Sequence, residues 1–107
     1  MVTKKYKVSW HRNAKHSLRL IYNYIKKGSV SSARKVKAAI LQETRKLNTS
    51  PERYSKEYFM KEESGNFRYI PIWSYKIIYE VTETKVIILE IFHTSRSPDE
   101  IQNIKQI

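Results

Sequence analysis

The chain has 107 residues, and its 21 lysines and arginines outnumber its 10 aspartates and glutamates, giving a formal net charge of +11. It contains no cysteine, which excludes disulfides and thiolate metal ligands and is consistent with a reducing cytoplasm. No apolar stretch approaches the roughly 18 residues of a membrane span, and the first residues do not lead into a signal-peptide core. We therefore expect one cytoplasmic domain, residues 1–107, without a membrane partner, whose charge suits nucleic acid or an acidic protein.

The N-terminal part of the chain predicts a strand and then a helix. Residues 6–10 alternate apolar and polar side chains, which is the period of a strand. Over residues 14–25 the apolar side chains recur at the spacing of one helix face. Asn13 is the expected N-cap of this helix, and Gly28 is placed to end it.

A second helix is expected after only a few residues. Ser31 or Ser32 can cap it, and the polar residues 48–51 end it. With so short a connection, the two helices should form an antiparallel hairpin whose apolar stripes face a sheet. The lysines and arginines of the hairpin then lie on exposed surface, where a solvated basic face is the simplest role.

The second half of the chain predicts three strands in succession. Residues 75–81 alternate in period two, and residues 86–92 are apolar except for Glu90, as in a central strand covered on both faces. The preceding run, residues 67–73, contains Pro71, which cannot donate to a sheet ladder and therefore belongs at an edge or a bulge. These runs predict a β-meander onto which the rest of the chain packs.

The C-terminal residues predict a short helix. Ser97, Pro98 and Glu100 occupy the N-cap, N1 and N3 positions of a capping box. Its apolar stripe consists of Ile101, Ile104 and Ile107. Residues 51–65, which show no clear period, are expected to form a surface loop. The predicted fold class is α+β: a strand, a helical hairpin, a three-stranded antiparallel meander and a short C-terminal helix.

Conventional catalytic signatures are absent from the sequence. The only glycines, Gly28 and Gly65, do not form a phosphate-binding loop, and the three histidines do not have the spacing of metal ligands. The acidic residues are too dispersed to hold the divalent ions of a metal-dependent nuclease. We therefore expect no metal and no other cofactor.

A cationic set remains at the ends of the predicted strands: Arg68, Lys76, His93 and Arg96. Because the start of one strand lies beside the end of the next in a meander, Lys76 should approach His93 and Arg96. Arg68 joins them only if the edge strand has a suitable register. Such a group could cleave RNA without a metal, since cations stabilise the pentavalent phosphate and His93 can transfer protons. The alternative is a structural role for His93 and an ion pair between Arg96 and the acidic residues that follow it.

The strand S-Y-K-I-I-Y-E-V (residues 74–81) is followed by the strand V-I-I-L-E-I-F-H-T-S-R-S-P (residues 86–98), which ends in the pattern H-x-x-R-x-P. These strands, with Arg68 ahead of them, resemble the RelE/ParE superfamily of type II toxin–antitoxin toxins. The helical hairpin also matches, so the likeness spans nearly the whole chain. The resemblance implies a RelE/ParE-like fold and a toxin that inhibits growth until a cognate antitoxin neutralises it.

Two activities share this fold, so the resemblance leaves the target open. RelE-type toxins cleave messenger RNA on the ribosome, and Arg68, Lys76 and Arg96 match their basic catalytic positions. ParE-type toxins poison DNA gyrase and are not enzymes in their own right. Ile70 stands where RelE-type chains carry a second lysine, and no tyrosine follows Tyr79. The sequence therefore favours the ParE type, with the RelE type as the alternative.

The resemblance also implies how the antitoxin binds. Antitoxins of this class wrap a partly disordered, often acidic segment around the toxin, and a charge of +11 suits such a partner. The expected docking surface is the apolar stripe of Ile101, Ile104 and Ile107 or an open sheet edge, unless these isoleucines only close the core. A third hypothesis is a basic nucleic-acid-binding module outside the superfamily, which would bind with a steep salt dependence and without toxicity.

Overall fold

The structure is a computed structural model that describes residues 5–60 and 64–104. Within these residues the strands are β1 (Lys7–Trp10), β2 (Asn66–Ile72), β3 (Tyr75–Val81) and β4 (Lys85–His93), and the α-helices are α1 (Arg12–Lys26) and α2 (Val30–Arg45). Short 3₁₀ helices follow α2 (Lys46–Asn48) and β4 (Pro98–Asn103). This order confirms the predicted α+β fold of a strand, a helical hairpin and a meander. None of the described helices is long and apolar enough to cross a bilayer.

The sheet is mixed because β1 joins it in parallel. The strand order is β1-β4-β3-β2, with antiparallel pairing throughout the meander and parallel pairing between β1 and β4. The chain runs from β1 at one edge of the sheet to β2 at the other edge, and these two strands point the same way, so the helical hairpin is part of a crossover connection. The pairing ends with Trp10 opposite Ile88, and the N–H of His11 donates to the carbonyl oxygen of Ile88 (2.8 Å). Pro71 lies in the edge strand β2, as predicted.

Both α-helices have N-caps that differ from the predicted ones. The Nδ1 atom of His11 accepts a hydrogen bond from the N–H of Asn13 (3.0 Å), so the prediction of Asn13 as the cap of α1 was wrong. Ser29 caps α2 by accepting from the N–H of Ser32 (3.1 Å), which corrects the predicted Ser31 or Ser32. Each helix begins early because its cap is the first suitable acceptor after the preceding element ends.

Two apolar cores lie on opposite faces of the sheet. The first core, under the hairpin, contains Ala14, Ile40, Leu47, Ile70, Ile77, Tyr79, Val86, Ile88 and Ile91. The second core contains Met60, Phe67, Ile78, Leu89, Phe92 and Ile101. Because β4 contributes alternate side chains to both cores, the prediction of a central strand covered on both faces is confirmed.

Residues 51–60, predicted to form a surface loop, pack on the sheet instead, with Tyr54 against the first core and Phe59 and Met60 against the second. Met60 is buried there, and the N–H of Glu57 donates to the carbonyl oxygen of Phe67 (2.8 Å). The N–H of Tyr69 donates in turn to the carbonyl oxygen of Ser55 (3.1 Å). The segment therefore also occupies part of the outer edge of β2, where unpaired backbone groups would otherwise face solvent.

β4 contains a bulge that holds an acidic residue. Its pairing with β3 shifts by one residue, since Tyr79 faces Ile88 whereas Ile78 faces Glu90. The carboxylate of Glu90 accepts a hydrogen bond from the hydroxyl of Ser17 in α1. Leu89, which lies between these two pairs, has no partner in β3, and this shift lets the carboxylate of Glu90 occur within an apolar strand without entering the first core.

The C-terminal segment is tighter than predicted. Pro98–Asn103 forms a 3₁₀ helix in which the hydroxyl of Ser97 makes no capping hydrogen bond, so the predicted capping box was wrong. Glu100 instead lies 3.5 Å from a guanidinium nitrogen of Arg96. The tighter turn buries Ile101 completely in the second core, and this burial favours the 3₁₀ geometry over a longer helix.

The phenol of Tyr79 connects the centre of the sheet to the segment that follows the hairpin. Its ring is fully buried, and its hydroxyl donates to the carbonyl oxygen of Pro51 (2.6 Å). Burial raises the pKa of Tyr79 far above its usual value, so the phenol stays neutral and remains a donor.

Replacing Tyr79 with Phe should lower the free energy of unfolding by about 1–3 kcal/mol, because the buried carbonyl oxygen of Pro51 would lose its donor. Urea unfolding followed by circular dichroism measures the change. Tyr24→Phe is the matched control: Tyr24 is 76% exposed, and its hydroxyl should contribute less than about 0.5 kcal/mol. Equal losses in the two variants would contradict a role for the buried hydrogen bond.

Candidate functional site

Arg68 lies far from the other predicted site residues. In the sheet it pairs with Tyr79, whereas His93 pairs with Tyr75, four residues further along β3. That offset corresponds to roughly 13 Å along the strand, with one intervening strand between β2 and β4. The condition under which Arg68 would join the cationic set, a suitable edge-strand register, is therefore not met.

The guanidinium of Arg68 binds its own chain. Nη1 donates to the carbonyl oxygen of Tyr54 (2.7 Å), and Nε donates to Oδ1 of Asn66 (3.0 Å). Nη2 lies 3.3 Å from a carboxylate oxygen of Glu52. Only 12% of the side chain is exposed, so Arg68 fastens the segment after the hairpin to β2.

Lys76 points to the opposite face of the sheet from His93. It pairs with Phe92 while Tyr75 pairs with His93, and neighbouring residues of a strand alternate between faces. Its ammonium group lies 2.6 Å from Oε2 of Glu57 and 4.1 Å from the ring centroid of Tyr69. The expectation that Lys76 approaches His93 was wrong, because the two-residue period of β3 places the side chain of Lys76 on the face of the sheet that carries the second core.

The ion pair of Lys76 is largely enclosed. The side chains of Lys76 and Glu57 are 18% and 1% exposed. Oε1 of Glu57 accepts from the N–H of Phe59 (3.0 Å), but no hydrogen-bond donor among the described residues reaches Oε2 with good geometry. The nearby ammonium group therefore compensates the burial of Oε2 by charge.

His93 and Arg96 are the two predicted residues that the structure brings together. The N–H of Arg96 donates to the carbonyl oxygen of His93 (3.1 Å), which closes the turn after β4. The ring of His93 meets that of Tyr75 edge to face at 5.2 Å, and its Nδ1 accepts from the N–H of Ser95 (3.0 Å). The guanidinium of Arg96 stacks 4.6 Å from the ring centroid of Phe92 and pairs with an acidic residue, as the structural alternative expected.

A groove of about 400 Å³ lies between α1 and the second half of β4, beside which β1 does not extend. We call it the α1–β4 groove. It is lined by Ser17, Leu20, Ile21, Tyr24, Tyr75, Ile91, His93, Ser95 and Arg96. It exists because β1 pairs only with the first half of β4, so that α1 flanks the second half. Its chemistry is apolar and aromatic with a basic rim, which suits binding to a protein surface.

Sequence reasoning missed the groove residues that come from α1. Leu20 and Tyr24 are 55% and 76% exposed, and they lie outside the apolar stripe that packs α1 on the sheet. The signal was present: two large apolar residues at i and i+4, off the main stripe, mark a second face of the helix. Exposed apolar side chains of this kind often mark an interaction site.

The sequence matches the family model described as the ParE toxin of the type II toxin–antitoxin system, parDE, over residues 8–98. The chain belongs to the ParE toxin family. The matched residues run from β1 to the start of the C-terminal 3₁₀ helix and so include the hairpin, the sheet and the α1–β4 groove. No curated protein matches the sequence significantly.

A solved structure supports the ParE fold. The chain is similar to a structure described as the chromosomal ParDE TA system from P. aeruginosa, with a TM-score of 0.67 and 20% sequence identity. The similarity covers 84% of this chain and 97% of that chain. At this identity the likeness concerns the fold alone.

Membership in the ParE family confirms the predicted resemblance to the RelE/ParE superfamily. The chain is a toxin of a type II toxin–antitoxin system, and the family implies a cognate antitoxin as its partner. The hypothesis of a basic module outside the superfamily is thereby excluded.

Replacing Lys76 with Met should lower the free energy of unfolding by about 3–5 kcal/mol, because Glu57 would keep a buried charge without its partner. The double variant Lys76→Met, Glu57→Leu should recover most of this loss, since neither charge then remains. Chemical unfolding of both single variants and the double variant completes the cycle.

Arg96→Ala is the control for this cycle. Both side chains of its ion pair are about half exposed, and such surface pairs contribute about 0–1 kcal/mol. A double variant as unstable as Lys76→Met alone would show that the enclosed charge is not the cause of the loss.

Proposed function

We propose that this ParE-family toxin arrests growth by binding DNA gyrase through protein–protein contacts and has no catalytic activity of its own. The observation that carries the proposal is the dispersal of the cations: Arg68 and Lys76 each bind a different part of the chain, and neither lies beside His93. The α1–β4 groove supplies an apolar surface with a basic rim for such contacts. The family match supports the same reading.

The alternative, RelE-like cleavage of messenger RNA on the ribosome, requires several charges at one phosphate. The 2′-hydroxyl must lose a proton, the pentavalent phosphate must be stabilised, and the leaving oxygen must be protonated. In this fold the charge of Lys76 is neutralised by Glu57, and Arg68 is occupied by backbone carbonyl oxygens. Only His93 and Arg96 would meet an RNA in the groove, which favours binding over cleavage.

Induction of the toxin in a bacterial host should reduce DNA synthesis before protein synthesis, as measured by separate pulse labels. Purified toxin should also inhibit supercoiling by purified gyrase. The double variant Lys76→Met, Glu57→Leu, which we expect to fold without the enclosed charges, should remain as toxic as the wild type. An early fall in protein synthesis that this variant abolishes would favour the ribonuclease and contradict the proposal.

We further propose that the cognate antitoxin docks on the C-terminal segment, over Ile101, Ile104 and Ile107. Ile101 is fully buried in the second core, so an antitoxin can contact it only by displacing Pro98–Asn103. Ile104 is partly exposed and packs against the same core, so it is the accessible anchor. Ile107 lies outside the described residues.

Replacing Ile104 with Glu should weaken binding of the cognate antitoxin by about tenfold or more, because a charge would replace an apolar anchor. Titration calorimetry of the purified pair measures the affinity. Gln102→Glu adds the same charge at an exposed position of the same segment and is the control. Unchanged affinity for the Ile104 variant would place the docking site elsewhere.

A further inference from the structure

The helical hairpin carries a second groove, on the side of the helix–helix contact that faces away from the sheet. α1 contributes Lys15, Leu18, Arg19 and Tyr22, and α2 contributes Arg34, Lys37, Ala38, Leu41, Gln42 and Arg45. Tyr22 and Lys37 belong to both of its hollows, the larger of which measures about 550 Å³, so the hollows form one continuous feature. We call this feature the outer groove.

The outer groove contains five cations and no carboxylate. α1 has no aspartate or glutamate among its 15 residues, and the single acidic residue of α2, Glu43, binds Lys46 and Tyr54 outside the groove. The five groove cations are exposed, and none of them forms an ion pair within residues 5–60 and 64–104. Five uncompensated positive charges repel one another, so this surface favours an anionic ligand.

We propose that the outer groove binds the sugar–phosphate backbone of duplex DNA. This inference goes beyond the proposed function, since binding of gyrase by itself requires no contact between the toxin and DNA. Arg34 and Arg45 are eleven positions apart, or about 16 Å along a helix. Over that length of its axis, one strand of B-DNA presents about five phosphates, and a straight row of cations faces those on the near side of the duplex. The three cations of α2 form one rim of the groove, and Lys15 and Arg19 of α1 form the other.

The interior of the groove argues against a peptide ligand. Leu18 packs against the first core and Leu41 is half-buried, so both leucines offer a ligand only part of their apolar surface. The backbone amides here belong to two α-helices, which offer no strand edge for pairing. A ligand can therefore gain little here except charge contacts, and regularly spaced phosphates provide those.

The groove also lacks the features that select single strands or RNA. Single-stranded nucleic acid is held by aromatic side chains on which bases stack. The groove's aromatic residue is Tyr22, and the ammonium group of Lys37 lies over its ring at 5.4 Å from the centroid. Double-stranded RNA is recognised partly through hydrogen bonds to its 2′-hydroxyls. Among the α2 residues of the groove, Gln42 is the one neutral hydrogen-bonding side chain, so this rim has few groups suited to such contacts.

Fluorescence anisotropy with a labelled 20-base-pair DNA, measured between about 50 and 200 mM KCl, tests the proposal. The wild type should bind DNA of any sequence, with a log–log salt slope of at most about −4.5 in magnitude if each of the five cations neutralises one phosphate. The double variant Arg34→Gln, Lys37→Gln should bind at least about tenfold more weakly at 50 mM KCl. Its log–log salt slope should also be smaller in magnitude by about 2, because two phosphate contacts are removed.

The matched control is Lys7→Gln, Lys85→Gln, which removes the same two charges from exposed positions paired between β1 and β4. Its affinity should stay within about twofold of the wild type, with an unchanged slope. An equal loss of DNA affinity in the two double variants would mean that only the net charge of the protein matters, which would overturn the proposal. Tighter binding of single-stranded DNA or of double-stranded RNA, or no binding at 50 mM KCl, would overturn it as well. Gyrase is absent from this assay, so its outcome is independent of the proposed target.

Discussion

The parallel pairing of β1 with β4 is the constraint on which the other features of the molecule depend. With β1 beside β4 at one edge and β2 at the other, the chain must cross one face of the sheet before the meander begins, and the helical hairpin provides that crossing. β1 ends after four residues, where His11 both hydrogen-bonds to β4 and caps α1. The short strand thus leaves the second half of β4 beside α1 and creates the α1–β4 groove. The crossing also leaves the outer groove of the hairpin facing solvent.

The two-residue period of the strands determines the environment of each cation in the sheet. Lys76 and His93 lie on neighbouring strands only one pairing step apart, yet they project from opposite faces. Each face provides a different environment: an enclosed carboxylate for Lys76, and an open groove with an aromatic neighbour for His93. The charge of Lys76 is paired with Glu57 and is therefore not available to a substrate. Arg68 and Lys76 therefore serve the structure, whereas the five cations of the outer groove form no ion pair within the described residues 5–60 and 64–104.

Regular periods explain why most of the fold could be predicted from the sequence. The alternation in β3, the apolar run of β4 and Pro71 in β2 specify the meander, and helix-period stripes specify the hairpin. The position of Lys76 could not be predicted, because its partner Glu57 lies in a segment without any period. The caps failed for a related reason: several neighbouring polar residues can each accept a backbone hydrogen bond, and tertiary packing selects one. His11 gave no helix signal, since its role depends on where β1 leaves the sheet.

The bulge beside Glu90 has a consequence for the number of residues that β4 can hold. Ile91 and Phe92 keep their places in the first and second cores because the ladder absorbs the extra residue locally. In an uninterrupted ladder, the same insertion would exchange the faces of every residue that follows, sending a carboxylate into the first core and Ile91 out of it. A one-residue insertion at this point is thus neutral for both cores, and it adds a polar link to α1 through Ser17. The strand can gain or lose this residue while its apolar alternation remains intact.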